Sequence, residues 1–419
     1  MTKPFSRKMG VLEKLSTVIH DNAAGSTSVA GRLAIKRAID FALFKQAWRI
    51  LFDRQPLLRA TIRVDLNGEY FFDLNANFSD IPITYKQTDD SQEVEQVYSR
   101  DIIKMFESDS YLWRAALISG SEESVIVFGS IHSISDAKSI SYLLGDLLRI
   151  ILELEQGMVP NASSYDMTDP LDVLLDLNQF SLAGTTQETA PRRLLMEKSV
   201  AKTAFVSKNQ ICFIEPDDFI CLHKKCRDHD VTINSALAAA LVISLTQILP
   251  GEEGAFYLPF AVNFRPYTKT KMDNQTLAFY AHMVEAHIQH PEQSFWIVAK
   301  EAHLKCRAAL AAYQLPPNNL DFFDGLKNTI AENYANGCFF GDYCFTNVGL
   351  IDDSFKGCEC FGIHDFCFTV LNQGIFGVLI SAATVNNRLS LNFNYAVPAL
   401  SDKTVRAIID KTMRLILTA

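Results

Sequence analysis

Two residue types that do acid–base chemistry stand close together at His132 and Asp136, inside "SVIVFGSIHSISDAKSISYLLGDLLRIILELEQG" at 124–157. A neutral imidazole accepts a proton well near pH 7, so His132 is a candidate general base. An aspartate four positions on seldom hands charge to that imidazole; it more naturally fixes the loop by pairing with an arginine. The plainer alternative is a satisfied histidine capping the helix that follows. The spacing by itself does not choose between them.

The surrounding pattern shows what must position the pair. A run of apolar and small residues at 124–131 reads as a strand that ends at His132. After Asp136, Ile140, Leu143, Leu144, Leu147, Leu148 and Ile151 follow the spacing of a buried helix face. Upstream, Ile39, Ala42, Leu43, Ala47, Ile50 and Leu51 predict a helix ending near Gln55-Pro56. Alternation through Ala60, Ile62 and Val64, with Asn67-Gly68 and then Tyr70, Phe72 and Leu74, predicts a hairpin. A second hairpin is expected to turn around Gly120–Glu123. Periodicity fades over 156–200, which gathers Gly, Pro, Ser and Thr, and the boundary between two domains is read there.

The second half predicts strands in "AFVSKNQICFI", "AFYLPFAVNFRP", "DYCFTNVGL", "GIFGVLISAAT" and "RLSLNFNYA". Helices are expected in "EPDDFICLHKKCRDHD", in "VTINSALAAALVISLTQILPG" with Thr232 or Asn234 as cap and Gly251 closing after Pro250, and in "FWIVAKEAHLKCRAALAAY". A last helix follows Ser401. Strands and helices mix in an α+β order in both halves. The expected organisation is an N-terminal lobe at 1–175, a linker at 176–203 and a C-terminal lobe at 204–419.

Bulk properties narrow the function. A chain of 419 residues with 48% hydrophobic and 21% charged residues supports two sizeable cores. Its net charge of −9 speaks against nucleic-acid partners; the local basic stretch "APRRLLMEK" at 190–198 reads better as linker. No stretch has the length of a membrane span, nor the N-terminus the apolar core of a signal peptide. A soluble cytoplasmic protein, expected as a monomer, follows, with its nine cysteines reduced. The cluster "CECFGIHDFC" offers Cys358, Cys360, His364 and Cys367 as metal ligands, but C-x-C spacing fits structural zinc poorly, and packed thiols are the plainer reading. No metal and no bound cofactor are expected.

"IHSISDAKS", between an apolar strand and an amphipathic helix, resembles the H-x-x-x-D-G signature of the condensation-domain and BAHD acyltransferase superfamily. Further echoes follow in the expected order: "IDFALFKQAWRILFDRQPLLRATI" as the first helix and strand, "HDVTINSALAAALVISL" opening the second lobe, "AVNFRP" as the N-x-R-P strand, "TNVGL" as the S/T-N-x-G segment, and "RLSLNFNYAVPALSDKTVRAII" as the closing strand and helix. The chain departs from the pattern at Ile131, where condensation domains carry a second histidine, and at Ala137, where the motif has glycine; D-F-G-W-G is missing, "DFCFT" at 365–369 only starting alike. The free-standing alcohol-acetyltransferase-like branch is the nearest in pattern.

The resemblance implies two chloramphenicol-acetyltransferase-like lobes with a tunnel between them. It implies an acyl donor, as a coenzyme A or acyl-carrier-protein thioester, a carrier protein being a candidate partner, and a small alcohol or amine acceptor, in secondary metabolism. His132 would be the general base, and Asp136 would be structural, paired with Arg59. Asn263 and Arg265 would line or brace the tunnel, and Thr346, Asn347 and Gly349 would lie near the acyl site. A surface charge at Arg59, strand-end roles at Asn263 and Arg265, and ordinary turn residues at 346–349 remain the structural alternatives. At the level of function the alternatives are a two-lobed binding protein without catalysis, which Ile131 and Ala137 motivate, and a standalone amide-forming condensation enzyme.

Overall fold

A computed structural model describes residues 5–180, 191–192, 197, 205–249, 255–272, 275–336 and 341–419. Two sheets organise it. The first has five strands in the order Ile363–Val370, Ser28–Ile35, Ser124–Ile131, Trp113–Ser119, Ile83–Gln87. The second runs Ala281–Ile288, Ala255–Asn263, Gly341–Leu350, Phe376–Val385, Arg388–Val397, Val206–Ile214, with Pro191–Arg192 pairing beside Ala255–Asn263. A small third sheet joins Ser6–Lys8 to the hairpin Ala60–Val64 and Tyr70–Leu74.

In the first lobe, helix Phe41–Arg54 starts at Asp40, whose carboxylate accepts from the Leu43 amide at 3.0 Å. It buries Phe44, Ala47, Trp48, Leu51 and Phe52. Trp48 stacks on Phe128 with ring centres 5.4 Å apart, so this helix is fixed to the strand that leads into His132. Helix Ala137–Glu155 lies beside it and buries the periodic positions Ile140, Leu143, Leu144, Leu147, Leu148 and Ile151. Gly145 on this helix meets the turn at 352–355: a Cβ there would stand 1.9 Å from the Ser354 carbonyl oxygen. Only a residue without a side chain lets helix and turn approach so closely.

The second lobe has its own core around helix Ile233–Ile248, capped by Thr232, which accepts from the Ser235 amide at 3.1 Å. An unbroken buried run from Ser235 to Leu245 fits a helix enclosed on all sides. Helices Phe295–Ala311 and Asp402–Thr418 pack with it in the same core. Both expected hairpins form, and the turn at Asn386 and Asn387 uses positive φ at both residues, the I′ geometry that suits strand twist.

Strand Ile363–Val370 lies in the second half of the chain, yet it pairs antiparallel with Ser28–Ile35 in the first sheet. The two sheets are thus stitched by a strand that crosses from one lobe to the other. Most of the linker expected at 176–203, and the helix stop expected at Pro250–Gly251, lie outside the described residues. Among the described residues no single helix is long and apolar enough to cross a membrane.

Candidate active site

Strand Ser124–Ile131 ends in a single 3-10 turn, His132–Ile134, and Asp136 then caps helix Ala137–Glu155. The turn folds the imidazole back on its own backbone. His132 Nδ1 lies 2.6 Å from the Ser135 carbonyl oxygen; a carbonyl only accepts, so Nδ1 carries the proton and Nε2 is left as the basic nitrogen. The Phe279 ring from the second lobe packs on the imidazole, ring centres 4.6 Å apart. Burial holds the His132 pKa below its ordinary 6.5, against the opposing influence of the Ser135 carbonyl and Asp136. A neutral imidazole with a bare Nε2 is a proton acceptor at neutral pH.

Asp136 does not touch the imidazole through a hydrogen bond. Its carboxylate takes four donors: the Ser139 amide at 2.8 Å, Arg265 Nη1 at 2.9 Å, Arg265 Nη2 at 3.2 Å and the Tyr280 amide at 2.8 Å. Burial by itself would raise this carboxyl, but Arg265 and the two amides outweigh it and hold it below the usual range. Arg265 Nη2 also donates to Ser139 Oγ at 2.6 Å, which donates in turn to the Ala278 carbonyl at 2.6 Å. One helix cap in the first lobe is therefore clasped to two segments of the second.

The ion pair expected between Arg59 and Asp136 is not formed. Arg59 lies in the turn Pro56–Arg59 and reaches outward to Ser164 Oγ at 2.7 Å; Arg265, expected to line or brace the site, is the partner. Asn263 supports it, its Oδ1 accepting from the Arg265 amide at 3.2 Å and Nη1 at 3.0 Å. The chain reaches Arg265 at the end of strand Ala255–Asn263, and Phe264 beneath it is fully buried.

These groups border a cavity of about 210 Å³ between the lobes, lined by His132, Asp136, Ala137, Asn263, Arg265, Thr346 and Asn347 among others. Gly349 stands outside that lining; with φ +69° its amide donates to Asn347 Oδ1 at 2.8 Å, shaping the turn. Much of the remaining wall is apolar: Leu12, Leu15 and Ile19 from helix Val11–Asn22, which packs on the His132 turn, Phe368 and Val370 from the crossing strand, and Ile375, Phe376 and Leu379. Leu12, Leu15, Ser16 and Ile19 recur at helical spacing, a signal present in the sequence as one face of an amphipathic helix. Lys138, His282 and Phe279 also line the cavity without having been singled out by sequence. Phe279 and His282 fall in a segment with no motif to mark it, and Lys138 looks like any polar residue in a helix's first turn.

The four candidate metal ligands go separate ways. Cys358 is buried in the first core with Sγ 3.6 Å from the Gly145 carbonyl, and Cys360 is exposed. Cys367 is buried on the other face of its sheet, and His364 Nε2 meets Glu123 at 3.1 Å. Among the described residues no group of three or more His, Cys, Asp or Glu is placed to hold a metal ion.

No protein-family model and no curated protein sequence matches the chain. Solved structures do. The first condensation domain of the CDA synthetase superposes with a TM-score of 0.74 at 13% identity, over 99% of this chain and 95% of that one. The TRI3 trichothecene 15-O-acetyltransferase from Fusarium sporotrichioides gives 0.72 at 13% identity, over 98% and 94%. Polyketide synthase associated protein 5 from Mycobacterium tuberculosis gives 0.65 at 13% identity, over 98% and 97%. The chain has the two-lobed α+β fold of condensation domains and of this free-standing acetyltransferase. A condensation domain and a free-standing enzyme fit it almost equally well, so overall shape does not separate the two branches.

Proposed function

We propose that this protein is an acyltransferase that moves an acyl group from a coenzyme A or carrier-protein thioester to an alcohol or amine, with His132 as the general base. The observation that carries the reading is the His132 imidazole itself. Its Nδ1 proton is committed to the Ser135 carbonyl, which leaves Nε2 as the basic nitrogen of a side chain that lines a cavity with both polar and apolar walls. The neighbouring folds include an acetyltransferase and condensation domains, which supports the same class of reaction.

In the proposed step Nε2 takes the proton of the acceptor hydroxyl or amine as that group attacks the thioester carbonyl. The tetrahedral intermediate collapses, the carbon–sulfur bond breaks, and the departing thiolate receives the proton from His132. Ester or amide and free thiol are the products. No acyl-enzyme forms, so the rate rests on holding two substrates together and on base help. Asp136 and Arg265 keep the turn and the second lobe in place around the imidazole.

Ala137 puts a methyl group on the cavity wall next to Asp136, where the resembled motif has glycine. That favours, as the second reading, a protein that binds a ligand in the cavity without turning it over. The deciding experiment compares a native-host deletion strain carrying wild type or His132→Ala by untargeted mass spectrometry. A metabolite heavier by one acyl increment with wild type alone supports transfer. Identical profiles turn the reading to a binding protein. With the substrates so named, His132→Ala should lower kcat by about 10²- to 10⁴-fold.

A further inference from the structure

The cavity holds a second imidazole. His282, on strand Ala281–Ile288, lines the same space as His132 and stands across from Val262 in the strand that carries Asn263. Its Nδ1 is 3.0 Å from the hydroxyl of Tyr313. Tyr313 is itself buried and wedged by rings: Phe264 at 4.4 Å and Phe180 at 5.5 Å between centres, with His282 edge-on at 5.7 Å. The phenol therefore has little freedom to turn elsewhere.

The direction of that hydrogen bond sets the chemistry of His282. The Tyr313 hydroxyl has His282 as its one hydrogen-bond partner among the described residues. A buried hydroxyl proton left without an acceptor is costly. The phenol accordingly donates to Nδ1, and the neutral ring must then carry its own proton on Nε2. That nitrogen has no partner among the described residues and belongs to a side chain on the cavity wall. Burial pushes the ring's pKa down to about 4, so it remains neutral over the working range. His132 and His282 are thus opposite tautomers: Nε2 is bare in the first and protonated in the second.

We infer that His282 is a substrate-binding residue whose Nε2–H, fixed by Tyr313, donates a hydrogen bond to an uncharged oxygen of the molecule in the cavity. The substrate class this selects carries a carbonyl or hydroxyl oxygen in an otherwise apolar frame. A cationic amine finds no acceptor at this nitrogen. The oxygen is either the thioester carbonyl or a group on the acceptor. The kinetic part of the inference rests on the acyltransferase reading; the tautomer does not.

Two measurements test it on the whole protein. In histidine labelled with nitrogen-15, the His282 signals, assigned by their loss in His282→Gln, should show a proton on Nε2 and none on Nδ1 from pH 5 to 8. Tyr313→Phe, which removes the donor, should release that preference. A proton on Nδ1, or titration above pH 5.5, would overturn the inference whatever the protein's activity. For kinetics the probes are octanoyl-coenzyme A alone, followed by thiol release to water, and octanoyl-coenzyme A with 1-octanol. If the oxygen is the thioester carbonyl, His282→Leu slows both reactions about tenfold. If it is the acceptor's, only the KM for octanol rises. In either case His282→Gln, which keeps an N–H, recovers part of the loss. Unchanged kinetics in His282→Leu, with wild type active, would sink the binding role. A wild type inactive on every thioester counts against the acyltransferase reading and leaves the tautomer result standing.

Discussion

His132 titrates in an environment that opposes its charging. Because burial lowers its pKa below 6.5, the base form persists at pH values where a free imidazole is already protonated. The acid limb of kcat/KM should therefore lie below pH 6.5, and a limb at or above that value would mean that another group limits the reaction. Asp136 follows the opposite logic. Its folded pKa is depressed, so its contribution to stability is complete above the unfolded carboxylate range and is lost as pH falls through the folded value. Asp136→Asn leaves the Arg265 guanidinium buried without its counter-charge, at about 3–5 kcal/mol. Adding Arg265→Leu to Asp136→Asn should cost less than the two changes summed, and urea unfolding of the four proteins measures the coupling. Strict additivity would mean that the pair is not a unit. Sequence made His132 and Asp136 legible because four residues of local geometry separate them. It misassigned the arginine because Asp136 and Arg265 lie 129 residues apart, and their meeting depends on how two lobes dock.

Several elements could be read from turn and cap chemistry alone. Asn67-Gly68, Asn386-Asn387, Thr232 and Ser401 each stand where a local rule puts them. Two elements that build the cavity were not among those readings. Strand Ser28–Ile35 is buried at nearly every position, so it lacks the alternation that betrays a half-exposed strand. Helix Val11–Asn22 begins in a basic N-terminal stretch with no Ser, Thr, Asp or Asn cap to mark it, although its face at Leu12, Leu15 and Ile19 lines the cavity. Ile19 is a place to test that wall. Ile19→Trp should narrow the cavity along this apolar wall and shift preference toward shorter acyl chains, with the shortest chain least affected. Competition between acetyl- and decanoyl-coenzyme A measures the shift, and an unchanged ratio would place the acyl chain elsewhere.

At the scale of the molecule, the lobes share more than a boundary. The Asp136 clasp, the cavity walls and the crossing strand Ile363–Val370 all use residues from both halves. Unfolding should thus be a single cooperative transition, with the near-ultraviolet signal of Trp48 and Trp113 in the first lobe and that of Trp296 in the second changing together. Separate transitions for Trp→Phe variants that isolate each lobe would show that the stitching is weak. A fragment of residues 1–203 lacks the strand that completes its sheet and should not reach a stable fold alone.

The crossing strand also sets a timetable. Ser28–Ile35 pairs on one side with Ser124–Ile131, which leaves the ribosome early, and on the other with Ile363–Val370, which leaves late. At ordinary rates of synthesis the interval between them is on the order of ten to fifty seconds. Throughout it the nascent first sheet presents an apolar, hydrogen-bond-hungry edge that any neighbouring strand could extend. The yield of native protein is then governed by what shields that edge during translation, and slowing the ribosome between the two strands should send more of the chain into aggregates.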